Sequence, residues 1–233
     1  MPQKQSRGQD TKKRILMATL EVIKNQGMRA VRHRAIATEA GVPLGSTTYH
    51  FKSIEDLISS TFEYWYELID IDNNPYFQAI ENEIASLAER STELSTELST
   101  ELPSEEQNEP SRAQIAQLLF ECADNFLQDQ IIDNIDNRKI ELAFHNEALR
   151  NPKLSTLLLD SWHKEVTRLA TLYEMFGTSA PEKDAEITFA IIMQSEKKAM
   201  MLATKAQQQQ EYAKIRLTLK HHIEGLIGVV GTS

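Results

Sequence analysis

Cysteine is nearly missing from this 233-residue chain, Cys122 being the only one. That excludes an intramolecular disulfide and any metal site built on several thiolates, and it suits a reducing compartment. Cys122 lies in an apolar helical run, Leu118-Leu119-Phe120-Glu121-Cys122-Ala123, and reads as a buried structural thiol. Also missing is any stretch of 18 consecutive apolar residues, so no transmembrane helix is expected. The opening segment MPQKQSRGQDTKKR is not followed by an apolar core and does not read as a secretory signal. No segment alternates apolar and polar residues as a half-buried strand would. A Gly-rich phosphate loop, a His-Glu-x-x-His pair and a nucleophile elbow are all absent. His221 and His222 are neighbours in sequence and do not share a helix face; Glu141 and His145 lie four apart, but two ligands make no metal site. The expectation is a cytoplasmic protein that is not an enzyme, with no catalytic residues, no metal and no cofactor.

Overall charge is misleading. The net value of −9 argues against a nucleic-acid partner until the chain is divided. Residues 1–53 hold ten Lys/Arg against three Asp/Glu, a surplus of +7, which leaves −16 on the other 180 residues. A basic module joined to an acidic body is the electrostatic footprint of a DNA binder, because phosphate affinity follows local charge.

Within the basic part, residues 27–52 carry the most information: GMRAVRHRAIATEAGVPLGSTTYHFK. Arg34 to Ala40 reads as a helix whose buried stripe is Ile36, Ala37 and Ala40. Gly41 stands where that helix should stop in the left-handed conformation. Pro43 suits the first turn of a second helix running to about His50. The outward face of that second helix is expected to be Leu44, Gly45, Ser46, Thr47, Thr48, Tyr49 and His50, a set of short, hydroxyl-bearing and aromatic groups able to meet phosphates or base edges. Lys52 suits a phosphate contact, and Phe51 reads as a core plug. Ser53 and Asp56 form an imperfect capping box for the next helix. By pattern alone, a helix-turn-helix and an ordinary helical hairpin fit equally well.

Residues 12–58 resemble the DNA-binding domain of the tetracycline-repressor (TetR) family of bacterial transcriptional regulators. The matching positions are Ile15-Leu16-x-Ala18-Thr19-Leu20, Gly27, Arg34-x-Ile36-Ala37-x-x-Ala40-Gly41-Val42, Gly45-Ser46-x-x-Tyr49-x-Phe51 and Leu57-Ile58. The resemblance covers about a quarter of the chain and implies an all-α fold: an N-terminal three-helix helix-turn-helix domain within residues 1–53, and a larger helical ligand-binding and dimerisation domain, residues 54–233. The charged residues ahead of the first helix read either as a mobile N-terminal arm that reaches DNA or as a disordered soluble tail. The resemblance implies DNA contacts from Arg32, Arg34, Leu44 to His50, and Lys52. Two positions depart from the family. Arg32 replaces the usual Ser or Thr cap of the second helix, and Leu44 stands where many relatives are polar.

The body reads as helices over 54–72, 76–102, 111–130, 134–150, 153–176, 181–204 and 207–229, with a Ser-Thr-Glu-Leu repeat at 91–102 and an acidic loop at 103–110. The low-complexity stretch of about 91–110 motivates an alternative in which a protein partner controls the regulator or it activates transcription. A helical binding or enzymatic protein with a head that no longer reads DNA is the more distant alternative. Apolar stripes at Ile187, Ala190, Ile191, Met200 and Met201, and at Ile215, Leu219, Ile223, Leu226 and Ile227, suit either internal packing or the two-helix dimer interface that the resemblance implies. Further implications are a homodimer on a palindromic double-stranded operator, repression, and release by a small molecule. Trp65, Phe120, Phe144, His145 and Trp162 are the candidate lining of its pocket.

Overall fold

The computed structural model describes residues 2–69 and 111–228, with 78 and 82 as isolated helical positions. Among the described residues every regular element is helical. They are α1 (Pro2–Gln26), a 3-10 turn (Met28–Ala30), α2 (His33–Ala40), α3 (Leu44–His50), α4 (Ile54–Ile69), α5 (Arg112–Gln128) with a π turn (Asp129–Asp133), α6 (Ile135–Ala148), α7 (Pro152–Met175), α8 (Pro181–Met200) and α9 (Lys205–Ile227). The expected helix over 76–102, the repeat and the 103–110 loop lie outside the described residues.

Two compact units divide the chain, and not at residue 53. The first takes in Met1–Ile71 and Asn134–Glu165, the second Asp72–Asp133 and Val166–Ser233. One expectation needs correction at the start of the chain: the segment read as a mobile arm is the first part of α1. Its Gln, Lys and Arg are good helix formers, and a helix once nucleated extends cheaply through them.

The first unit is built on aromatic packing. Phe62 lies edge-on to Phe144 at 5.3 Å and stacks on Tyr66 at 5.8 Å, while Trp65 meets Phe144 at 5.7 Å. Ile15, Val22, Ile36, Phe51, Leu57 and Leu154 complete this core. The pattern follows from sequence spacing: Ile58, Phe62, Trp65 and Ile69 recur at three and four residues along α4 and so share one face.

The second unit has an aliphatic core from Leu119, Leu127, Ile131, Leu172, Ile215, Leu219 and Ile223. Both α5 and α9 start with a full capping box, Ser111 with Gln114 and Thr204 with Gln207. Pro181 opens α8, with Glu182 and Asp184 in its first turn and Lys197 and Lys198 in its last, which complements the helix dipole. Gly228 closes α9 in the left-handed conformation, and Arg112 donates to the Ile227 carbonyl at 3.0 Å. The stripe Ile215, Leu219, Ile223 and Ile227 is therefore consumed inside this unit. What α8 and α9 leave open is a different row: Ile187 and Ala190, and Ala213, Leu217 and His221 at intervals of four, with Leu217 71% exposed.

Candidate nucleic-acid interface

The helix-turn-helix is held from behind. Ile36, Ala37 and Ala40 face inward on α2, as their spacing predicts. Gly41 ends the helix at φ 61°, and the N–H of Val42 donates to the Ala37 carbonyl at 3.0 Å. Arg14 of α1 donates to the Ala40 carbonyl at 2.7 Å and the Gly41 carbonyl at 3.2 Å. Its guanidinium thus neutralises the carbonyl end of α2 and is committed to structure. Arg32 occupies the N-cap of α2 and makes no side-chain capping bond, so its head group is not spent on the helix.

α3 is short, and a seven-residue helix divides into faces sharply. Thr47 and Phe51, one turn apart, are both buried, and the Thr47 hydroxyl donates to the Leu44 carbonyl at 2.8 Å. This corrects the expectation that Thr47 lies on the outward face: Thr47 belongs to the row of the Phe51 plug, on the side opposite the solvent. The outward row is Leu44, Gly45, Thr48 and Tyr49, with Ser46 and His50 half-buried at its margins. Tyr49 is 83% exposed, the most prominent side chain of the helix, and Leu44 is 43% exposed. Exposed cations lie before and after α3 in the chain, Arg32 and Arg34 on one side and Lys52 on the other.

His50 is not one of those cations. Its burial, and secondarily the charge of Lys12, hold its pKa below the ordinary histidine value, so the ring is neutral at pH 7. It meets Tyr49 edge-on at 5.1 Å. Lys12 sits 5.9 Å from the centre of the Phe51 ring, which brings a cation from α1 to the end of α3. Sequence reasoning did not assign Lys12; the only signal was the basic run Lys12-Lys13-Arg14 ahead of the apolar stripe of α1.

The expected pocket residues fall into three places. Trp65 and Phe144 are core neighbours in the first unit. His145 meets Trp162 edge-on at 5.2 Å, with His145 Nε2 3.5 Å from Glu141 Oε1 and Arg138 paired with the same carboxylate. Burial opposes ionisation of Glu141, but His145 and Arg138 outweigh it and hold that carboxyl below its usual range. Phe120 belongs to the second unit, 5.6 Å from the Arg216 guanidinium and 5.9 Å from Lys220. No group of three or more potential metal ligands occurs among the described residues. His222, one of the adjacent histidines, instead meets the Thr188 hydroxyl at 2.8 Å.

Residues 15–61 match the family model for bacterial regulatory proteins of the tetR family. No curated protein matches the chain. Among solved structures, the fold is similar to a transcriptional regulator from Rhodococcus sp. Rha1, at TM-score 0.63 and 18% identity, covering 94% of this chain and 99% of that one. It is similar also to a TetR transcription regulator from Haloarcula marismortui, at TM-score 0.59 and 14% identity, covering 94% and 98%. A third is a putative transcriptional regulator from Saccharomonospora viridis in complex with choline, at TM-score 0.57 and 18% identity, covering 93% and 96%.

Proposed function

We propose, from the premise that residues 15–61 are the DNA-binding domain of a bacterial tetR-family regulator, that this chain is a cytoplasmic homodimeric repressor. It reads a palindromic operator through α3 and leaves it when a small molecule binds. The observation that carries the reading is the outward row of α3. Leu44, Gly45, Thr48 and Tyr49 form an accessible face of small, hydroxyl and aromatic groups, and Phe51 and Thr47 fix its rotation from behind. Phosphate contacts fall to Arg32, Arg34, Lys52 and Lys12, and Ser46 and His50 serve at the margins of the face. The functional division follows the chain: residues 1–53 read, and residues 54–233 bind effector and dimerise.

A single seven-residue helix offers little specific area, and two copies on twin half-sites double it. The exposed residues Ile187, Ala190, Ala213 and Leu217 support a two-fold contact through α8 and α9, since they are apolar or small and left uncovered in one chain, with His221 at the end of the α9 row. Trp65, Phe144, His145 and Trp162 of the first unit are the effector-lining candidates best placed to act on the reading head, because they share its packed unit. Phe120 of the second unit is a separate candidate.

Selection of bound duplexes from a random pool at near-physiological salt tests the reading. Enrichment of a palindrome is expected, with protein mass in solution corresponding to two chains. Bulk binding that salt abolishes, with no enriched sequence, would refute it.

A further inference from the structure

Behind the reading head, one buried amide joins three helices. Asn151 is the last of the three residues between α6 and α7, and it is 2% exposed. Its backbone N–H donates to the Glu147 carbonyl at 3.1 Å, closing α6. Its side-chain oxygen accepts from the Leu154 N–H at 3.1 Å and its carbonyl accepts from the Ser155 N–H at 2.9 Å, so it caps α7. Its side-chain nitrogen donates to the Glu55 carbonyl at 3.1 Å and to the Ser59 hydroxyl at 3.2 Å, both on α4. The network fixes which end of the amide is which: only the nitrogen can serve a carbonyl, and only the oxygen can serve an N–H.

Beside it, Lys153 pairs with Asp56 at 3.3 Å. The other oxygen of Asp56 accepts the N–H of Lys52 at 3.3 Å, and the Asp56 N–H donates to Ser53 at 3.1 Å. The first turn of α4, immediately after α3, is thus gripped by directional bonds from the start of α7. Apolar packing alone permits small rotations between helices at little cost. Bonds converging on a single buried amide do not, because rotation leaves a donor or acceptor unsatisfied in the core.

We propose that Asn151 is a positioning residue that sets the angle at which α4 carries the reading head, and therefore the half-site spacing that the dimer accepts. The inference rests on the dimeric, palindrome-reading function above. The variant Asn151→Asp separates its two duties, since Asp caps a helix as well as Asn but cannot donate to Glu55 and Ser59. Ser59→Ala removes one acceptor and leaves the amide in place.

The experiment offers wild type, N151D and S59A a duplex pool in which the enriched half-site is repeated with spacers of every length. Wild type is expected to favour one spacing. In N151D the preference for the best spacing over its neighbours should fall roughly tenfold, the worth of one or two hydrogen bonds, with the half-site sequence unchanged. S59A should fall less. A role confined to stability would lower affinity at every spacing alike, and an unchanged spacing profile in folded N151D overturns the inference. If N151D does not fold, S59A decides by the same criterion. If wild type enriches no paired half-sites, the dimeric reading fails and the spacing claim with it. The latch is then judged by amide exchange, which must be faster in residues 44–59 of N151D than of wild type but equal in 112–128. Equal exchange in both segments overturns the latch.

Discussion

The two units solve the problem of buried polar groups differently. In the first, they are short side chains that return to nearby backbone: Thr19 to the Ile15 carbonyl, Thr47 to Leu44, Thr61 to Leu57 and Ser161 to Leu158. Asn151 and Ser59 bridge helices, and the Glu141 trio is the ionic exception. In the second unit the buried polar groups are larger and reach across helices. Tyr173 meets Thr188 at 2.8 Å and Thr188 meets the half-buried His222, while nearer the surface a half-buried Asp124 takes the exposed Arg216 at 2.8 Å along with the Tyr212 hydroxyl. Glu196 and Glu211 are buried there as well. Self-satisfied hydroxyls cost little and hold a helix rigid whatever the pH. Networks of ionisable groups let stability respond to solution conditions; they are the rule in the second unit and confined, in the first, to the Glu141 trio.

The largest effects on either unit are expected from its core. Phe144→Ala removes the ring on which Phe62 and Trp65 pack and should cost about 3–5 kcal/mol; Leu219→Ala should cost about 2–5 kcal/mol in the other unit. Both tryptophans, Trp65 and Trp162, lie in the first unit, so their fluorescence reports on it alone, whereas circular dichroism sees all helices. In urea, Phe144→Ala should move the fluorescence transition further than the dichroism, and Leu219→Ala should do the reverse. Coincident shifts would mean the units unfold as one and the contrast has no energetic meaning.

Alkaline pH acts on the second unit through Tyr173. Burial pushes the Tyr173 hydroxyl up to about 12 from its ordinary value of 10.0. A raised acid in the folded state means the folded chain holds its proton longer, so the contribution is full below pH 10 and is lost as pH climbs from 10 through 12. The loss is about 2–3 kcal/mol. Dichroism-monitored unfolding at pH 9 and 12 should show a loss in Tyr173→Phe that is smaller than the wild type's by about that amount, the remainder including the Tyr212 hydroxyl, which is shifted the same way. Equal losses would remove Tyr173 as the cause.

Gly41→Ala places a side chain at φ 61°, with its β-carbon 3.3 Å from the Arg14 guanidinium. Destabilisation of about 1–2 kcal/mol is expected from the left-handed backbone, read by fluorescence and absent from any separate transition of the second unit. Smallest in energy is Lys52→Ala. It should leave stability within about 0.5 kcal/mol, weaken binding to all DNA sequences, and lower the salt slope of binding by about one. An unchanged slope would take Lys52 off the phosphate-contacting list.

The elements were legible in the sequence because local signals agreed: Gly41 as a stop, Phe51 as a plug, the aromatic spacing of α4, and the Ser53–Asp56 cap, which is present at 3.1 Å. Thr47 was misplaced because the rotation of a seven-residue helix turns on a single position, and each step is about 100°. Periodicity does not distinguish an α9 stripe that packs inside the chain from one that packs against a second copy; the shared cluster with Ala116, Leu119 and Leu127 does. The Asn151 bonds to Glu55 and Ser59 join residues 96 and 92 positions apart, beyond any periodicity. Lys12 reached α3 by the same route, through the crossing of α1 behind the turn.

The outward row of α3 is the proposed DNA-reading surface. Amide and side-chain protection along the whole chain, measured by hydrogen exchange and hydroxyl-radical labelling with and without the enriched duplex, tests it most directly. Protection is expected to be concentrated in residues 32–52, with Tyr49 the most strongly shielded side chain. Protection that spares Tyr49 and the 44–50 helix, wherever else it falls, would contradict it.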